Sequence, residues 1–244
     1  MKTLLLVAML AGASARAGTL VSVDWKNPDG ISRYGSYSGV EPLAAAANPA
    51  FGAASVWNDA LLGFLSPVTN PSFSGLVDNS GNTTGIGIQL TGSVDTYTGH
   101  DGSCPNSLFC DFIYLNSGSV GWRISGLIPR STVSLYFYNY GSPDQPYRAF
   151  NMAVDADASG SLDANYTVAA VAGGYASGIL ADASGTITGQ MQCCASGQAS
   201  WSGLQIYEET PEPGTLGFSI VGLLALVYRM RKPGESSVSK VTGL

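Results

Sequence analysis

Apolar and polar residues alternate in short bursts along most of this chain, and each burst stops at glycine, proline, serine or asparagine. Residues 19–25 carry Leu20, Val23 and Trp25, and residues 85–94 place Ile86, Ile88 and Leu90 on one side. Residues 109–115 are mixed, and residues 121–128 carry Trp122, Ile124 and Leu127. Residues 132–140 set Val133, Leu135, Phe137 and Asn139 against Tyr136, Tyr138 and Tyr140. Residues 149–154, 166–171, 185–192 and 200–207 complete the series. A two-residue period turns one row of side chains toward a core and the other away from it. About nine or ten strands with polar, glycine-rich turns predict an all-β fold, an antiparallel β-sandwich of jelly-roll type. Helical and strand patterns do not alternate, which excludes doubly wound and barrel α/β folds. The helix candidate inside this region, residues 43–65, is split by Pro49 and predicts at most one or two short helical turns.

Two apolar runs lie outside the alternating region. The first follows Met1-Lys2, extends from Leu4 through Ala13, and ends at Ala15-Arg16-Ala17. A short positive start, a brief apolar stretch and small residues before a cleavage point predict a secretory signal peptide over 1–17, cut before Gly18. At roughly ten residues the stretch is too short to span a bilayer. The second run, residues 216–228, follows Pro211-Glu212-Pro213-Gly214-Thr215 and precedes Arg229-Met230-Arg231-Lys232. Two prolines around a carboxylate make a stiff, extended handle. The apolar run predicts a hydrophobic helix, and the basic cluster stays on the cytoplasmic side. From Thr215 to Tyr228 such a helix reaches roughly 21 Å at about 1.5 Å per residue. The hydrocarbon core is about 30 Å thick, and Gly217 and Gly222 weaken the helix further, so a transient anchor is expected.

The order of handle, apolar span and basic stop resembles the PEP-CTERM sorting signal of Gram-negative bacteria. The resemblance implies that Pro211, Glu212 and Pro213 form a sorting motif and that Arg229, Arg231 and Lys232 form its basic stop. An exosortase-type membrane enzyme would process the tail. The chain would be held transiently at the inner membrane and then delivered to the cell surface or an exopolysaccharide matrix. Residues 233–244 extend beyond the point where members of that family usually end. The expected organisation is a signal peptide (1–17), a β-sandwich domain (18–209), a sorting signal with a short transmembrane segment (210–232) and a polar tail (233–244). Within the domain, Asp78-Asn79-Ser80-Gly81-Asn82-Thr83-Thr84-Gly85, Ile124-Ser125-Gly126-Leu127-Ile128-Pro129 and Ser202-Gly203-Leu204-Gln205-Ile206 form a pattern similar to β-sandwich modules related to galactose-binding domains. That resemblance implies a non-catalytic surface or glycan-associated module.

Charge narrows the class of partner. Residues 18–209 hold fifteen acidic and five basic residues, a net of −10 against −6 for the whole chain. Such a domain repels nucleic acid, and residues 18–209 show no basic patch. Four cysteines, Cys104, Cys110, Cys193 and Cys194, read as disulfide candidates in an exported chain. Three pairings are open. Local plus vicinal pairing strains the Cys193–Cys194 ring, and crossed pairing ties the 104–110 loop to 193–194. Adjacent cysteines do not readily take two corners of a zinc tetrahedron.

The candidate chemistry is sparse. His100 is the one histidine, so a Ser/His/Asp triad would have to use it, and no Gly-x-Ser-x-Gly elbow occurs. Hydrolysis at a metal held by several histidines is excluded by the same count. Asp155-Ala156-Asp157-Ala158-Ser159-Gly160 matches the start of a calcium loop, with Asp163 placed to contribute. Tyr166 stands where an EF-hand requires a bidentate glutamate. Calcium held by Asp155, Asp157, Ser159 and Asp163 is one reading of this stretch, and a hairpin connection is the other. Asp182-Ala183-Ser184-Gly185 shows the same turn chemistry at the start of a strand. Glycoside hydrolysis needs two facing carboxylates, and the sequence does not select a pair. Tyr136, Tyr138 and Tyr140 share one face of a strand, where an exposed aromatic row can stack on sugar rings. The expected function is an exported, non-catalytic binding or structural β-sandwich that meets extracellular polysaccharide. A carbohydrate-active hydrolase or a calcium-stabilised adhesin on the same tail is the alternative. No cofactor other than calcium is expected.

Overall fold

The computed structural model describes residues 18–26, 31–32, 35–36, 56–62, 67–98, 111–139, 149–169, 173–193 and 198–210. All of them fall within one compact unit, Ala17–Thr210. In chain order the strands are β1 (Gly18–Lys26), β2 (Ile31–Ser32), β3 (Gly35–Ser36), β4 (Asn58–Leu61), β5 (Val68–Thr69) and β6 (Ser72–Phe73). They continue as β7 (Gly87–Thr91), β8 (Ser93–Thr98), β9 (Asp111–Leu115), β10 (Ser119–Ser125), β11 (Thr132–Tyr138) and β12 (Phe150–Val154). The last are β13 (Ala164–Val168), β14 (Gly174–Leu180), β15 (Ile187–Gln192), β16 (Ala199–Trp201) and β17 (Gly203–Glu209).

A five-stranded sheet runs in the order β14-β11-β17-β1-β4, and a six-stranded sheet in the order β13-β12-β15-β10-β7-β6. A four-stranded sheet, β16-β9-β8-β5, and the β2-β3 pair complete the set. The inner faces of the two large sheets meet in one core. Val23, Leu135, Phe137 and Ile206 from the first join Ile88, Trp122, Met152 and Met191 from the second. The Trp122 ring lies 5.9 Å from Phe137 across the sandwich, and Trp25 lies 6.1 Å from Phe73 and 5.0 Å from Trp201. These residues sit at alternate positions on their strands, so the period read in the sequence is the period that builds the core.

Two glycines make this packing possible. A Cβ on Gly189 would stand 2.1 Å from Trp122 Cζ2, so the missing side chain is the space the indole fills. Gly126 has φ 78 and approaches Gly85 so closely that a Cβ would meet its carbonyl oxygen at 1.8 Å.

Three expectations are corrected. Residues 58–61, inside the helix candidate 43–65, form β4, and no helix occurs among the described residues. Asn58 explains the choice. Its Nδ2 donates to Ser22 O (2.9 Å) and Val77 O (2.8 Å), and its Oδ1 accepts from Val77 N (2.7 Å), which fastens the segment beside β1. The pairing of β4 with β1 is parallel, whereas the other strand pairs among the described residues are antiparallel. The strands among the described residues number seventeen, well above nine or ten. Residues 43–55 and 63–65, and the predicted C-terminal helix, lie outside the described residues. Among the described residues no helix is long and apolar enough to cross a membrane.

Candidate functional site

The outward face of the five-stranded sheet is aromatic and polar. Strand β11 turns Val133, Leu135 and Phe137 inward and Ser134, Tyr136 and Tyr138 outward. Register then sets Tyr136 opposite Tyr175 on β14 and opposite Gln205 on β17, and Gln205 opposite Ser22 on β1. Tyr175 is 46 % exposed and Tyr136 half-buried, whereas Tyr138 is 4 % exposed. Tyr136 and Tyr138 meet edge to face at 4.7 Å, and Trp57 packs on Tyr138 at 5.7 Å. Tyr138 Oη donates to Gln205 Oε1 (2.7 Å), and Gln205 Nε2 donates to Ser22 Oγ (3.2 Å). Burial pushes the Tyr136 phenol above its ordinary 10.0, so it stays a neutral donor at physiological pH. The row expected from the sequence is therefore graded, with Tyr136 partly open and the buried Tyr138 packed beside it. Tyr140 lies outside the described residues. Asp24 and Asp59 also share this face, in register on β1 and β4, with Asp24 buried and Asp59 exposed.

The connection from β12 to β13 gathers carboxylates. Asp155, Asp157 and Asp163 each bring an oxygen within 4.8 Å of the others. Asp155 is 8 % exposed, and its two oxygens accept from Ser159 N (3.0 Å) and Gly160 N (2.9 Å). Asp157 Oδ1 accepts from Ser159 N (3.0 Å), and Asp163 Oδ1 accepts from Ala156 N (2.7 Å). Ser159 Oγ accepts from Ser161 N at 3.3 Å. The Ser159 hydroxyl and amide hold the Asp157 carboxyl below its ordinary 3.8. Burial and the nearby Asp163 charge push the Tyr166 phenol above 10.0. Ala158 (φ 59) and Gly160 (φ 88) supply the reversals that curl the loop. Calcium ligands stand 2.3–2.6 Å from the ion, so oxygens this close together fit one ion of that size.

The Asp182 turn differs. Its Oδ1 accepts from Ser184 N (2.7 Å), Ser184 Oγ (2.7 Å) and Thr186 N (2.9 Å), a single-carboxylate turn that starts β15. Those contacts, the Ser184 hydroxyl foremost, hold its carboxyl below 3.8. Asp78 does the same for its own loop, with Oδ1 accepting from Ser80 N and Asn82 N, each at 2.9 Å. The Asn82 amide is the largest cause of its lowered pKa.

Of the cysteines, Cys193 is half-buried with Sγ 3.3 Å from Leu115 O. Cys104, Cys110 and Cys194 lie outside the described residues, as do His100, the sorting motif at 211–213 and the basic stop at 229–232. Tyr175, Trp57 and Gln205 belong to the aromatic face although the sequence reading did not single them out for it. Tyr175 sits among small residues in Gly174-Tyr175-Ala176-Ser177-Gly178, which hides the strand. Trp57 falls inside the stretch 43–65, whose pattern suits a helix.

No family model matches the sequence, and no curated protein is similar enough to count as a relative. Among solved structures, one described as TmCBM61 in complex with beta-1,4-galactotriose is similar over 50 % of this chain and 84 % of that one, at 11 % identity and a TM-score of 0.28. A likeness of that size assigns neither ligand nor mechanism to this chain.

Proposed function

We propose that this chain is an exported surface or extracellular-matrix protein whose β-sandwich binds carbohydrate and catalyses nothing. The observation that carries the reading is the Tyr136–Tyr175 pair. An exposed ring, Tyr175, and a half-buried one, Tyr136, stand in register on neighbouring strands, and the hydrogen-bonded Tyr138, Gln205 and Ser22 lie beside them on the same face. A sugar ring presents an apolar C–H face and polar edges, which suits an aromatic platform carrying phenol hydroxyls. The strand order supports a jelly roll. The run β14-β11-β17-β1 opposite β13-β12-β15-β10 is the alternation that two Greek keys produce. Asp24 and Asp59 do not favour a hydrolase, because a fully buried Asp24 is shut off from a substrate arriving from solvent.

Delivery rests on the signal at 1–17 and on Pro211, Glu212 and Pro213 as the motif read by an exosortase-type enzyme at the inner membrane. The glycan test is an array screen of the full chain, followed by Tyr136→Ala with Tyr175→Ala. Removing two stacking rings at about 1 kcal/mol each weakens binding roughly thirtyfold. Unchanged binding in the double variant removes the platform. For sorting, Pro211, Glu212 and Pro213 are all replaced by alanine and the protein is followed by fractionation. Unaltered processing and location would rule out a recognition role for the tripeptide.

The acidic loop favours a second reading, a calcium-stabilised adhesin, with Asp155, Asp157 and Asp163 as ligands and Ser159 ordering the turn. Calcium would then raise the melting temperature and a chelator lower it. An Asp155→Asn, Asp157→Asn variant would lose that response, and a wild-type chain insensitive to both reagents would end the reading.

A further inference from the structure

Three loops meet at the end of the sandwich where β17 finishes. Residues 126–131 join β10 to β11, residues 155–163 join β12 to β13, and residues 181–186 join β14 to β15. The stretch 180–182 is bonded to both of its neighbours. Arg130 N donates to Asp182 O (3.3 Å) and Ala181 N to Ser131 O (3.0 Å) on one side, and Leu180 N donates to Ala156 O (2.8 Å) on the other. The first of these loops holds a strained cation. Ser131 N donates to Ile128 O (3.0 Å), Pro129 follows Ile128, and Arg130 has φ 66, the pattern of a type II turn. That third position suits glycine or asparagine, because a Cβ crowds the backbone there. Of the three non-glycine residues with positive φ among the described residues, Asn70, Arg130 and Ala158, only Arg130 has a long charged side chain. Glu208 Oε1 clamps the turn from behind by accepting from Ile128 N and Ser131 Oγ. Strain of this kind persists where surrounding contacts over-determine it, and it points to a use for the residue that bears it. The clamped turn presents Ile128, 40 % exposed, beside an exposed Pro129 and Arg130. The 155–163 loop presents the complement, with Leu162 43 % exposed and Asp157 and Asp163 exposed beside it. Ile128 and Leu162 are two of the three large apolar side chains exposed among the described residues.

We propose that this end of the sandwich is an interface between two copies of the chain, in which the Ile128-Pro129-Arg130 turn of each seats on the 155–163 loop of the other. Turn and loop flank the same stretch, 180–182, so a two-fold axis through it brings both contacts together at once, as a self-complementary interface requires. Arg130 then meets the carboxylates of Asp157 and Asp163, whose oxygens lie within 4.8 Å of one another, a spacing its planar fork can bridge. Ile128 covers Leu162 and takes both from water. An anionic polysaccharide would also suit the turn, but the acidic loop beside it repels such a chain, whereas the same loop attracts a second Arg130. The interface does not involve Tyr136 or Tyr175, and it stands apart from the carbohydrate reading.

The test is sedimentation equilibrium of the full chain in a non-ionic detergent, with a chelator present so that no calcium shields the loop. The wild type is expected to form dimers as its concentration rises. Arg130→Gly removes the cation and relieves the turn, so it should melt no lower than the wild type. Its dimer dissociation constant should nevertheless rise about tenfold or more, because each dimer holds the contact twice. Arg130→Asp and Asp157→Arg, each alone, set like charges against one another at both contacts and should be monomeric. An equimolar mixture of the two restores opposite charges at both contacts and should regain the dimer. If Asp157→Arg melts below the wild type, Asp163→Arg replaces it. A monomeric wild type, a dimer as tight in Arg130→Gly as in the wild type, or no gain on mixing overturns the proposal. Retardation of a monomeric wild type by polygalacturonate in gels, lost in Arg130→Gly, would assign the turn to an anionic polysaccharide and overturn it equally.

Discussion

Glu208 is a carboxylate on the core-facing side of a central strand, and replacing it tests how the loop before β11 is held. It stands in register with Val133 and is 4 % exposed. Its Oε1 accepts from Ile128 N and from Ser131 Oγ (2.8 Å). Hydrogen bonds to a charged group contribute about 1.5–3 kcal/mol each. The two partners respond differently to its loss. Ile128 is 40 % exposed, so its amide can turn to water, whereas Ser131 is 2 % exposed and its hydroxyl stays buried. Glu208→Ala is therefore expected to cost about 3 kcal/mol, roughly one full charged bond plus part of the other. Glu208→Gln keeps a neutral acceptor and is expected to cost about 1–2 kcal/mol. For a domain of this size each kcal/mol lowers the melting temperature by about 2–4 °C, so the alanine variant should melt roughly 6–12 °C lower. Urea denaturation at neutral pH measures both losses, with an unchanged slope showing that only the native state is affected. Amide exchange at Ile128 should quicken in Glu208→Ala. A cost below about 1 kcal/mol for alanine, or equal costs for alanine and glutamine, would refute the charged clasp.

Further outcomes follow from other contacts. Gly126→Ala is expected to cost about 4 kcal/mol or more, because its Cβ would strike the Gly85 carbonyl oxygen; Gly81→Ala, at φ 85 with nothing within 4 Å, should cost about 1–2 kcal/mol from backbone conformation alone. Chemical denaturation of the pair separates collision from conformation. Tyr138→Phe keeps the ring against Tyr136 and removes the donor to Gln205, for an expected loss of about 1 kcal/mol, and a loss above about 3 kcal/mol would mean that the ring itself moves. The folded-state pKa values of Asp78, Asp157 and Asp182 lie below 3.8. Their contribution is complete above the unfolded value and is lost as pH falls through the folded values. Stability should therefore hold from neutral pH to about pH 5 and decline below about pH 4. Exchange of all three for asparagine should flatten that decline, and an unaltered acid limb would assign it to other groups.

What the sequence disclosed about the fold depended on how strongly each strand alternates. Residues of β7, β10 and β11 carry large apolar side chains at every second position, as β17 does at Leu204 and Ile206, and the pattern alone locates them. Strand β14 was hidden, because Gly174, Ala176 and Gly178 are too small to register as an apolar row. Strand β4 is ambiguous in the sequence, because Ala60, Leu61 and Leu62 suit a helix as well as a strand. A side chain, Asn58, settles the matter by bonding to backbone 36 residues earlier and 19 residues later. Information of that kind is absent from any local window.

The two candidate sites divide along the same line. The carboxylates of the acidic loop lie within nine positions of one another, so spacing alone announced them before any contact was known. The aromatic face exists only through pairing. Tyr136 meets Tyr175 because β11 lies beside β14. That surface is thus a product of long-range register, and a slip of one residue would turn it into the core. The closing strand guards against that slip. Strand β17 enters between β1 and β11, bringing Glu209 opposite Gly18 and Gly203 opposite Tyr138. Until it is in place β1 and β11 have no common neighbour, and Val21, Val23, Leu135 and Phe137 lack the Leu204 and Ile206 side chains beside them. The sheet that presents the aromatic platform is therefore completed by the last strand of the domain, which makes its assembly a late, non-local step. Truncation before β17 should abolish the platform and leave an aggregation-prone chain with two open strand edges, whereas truncation after Thr210 removes no residue of the sheet.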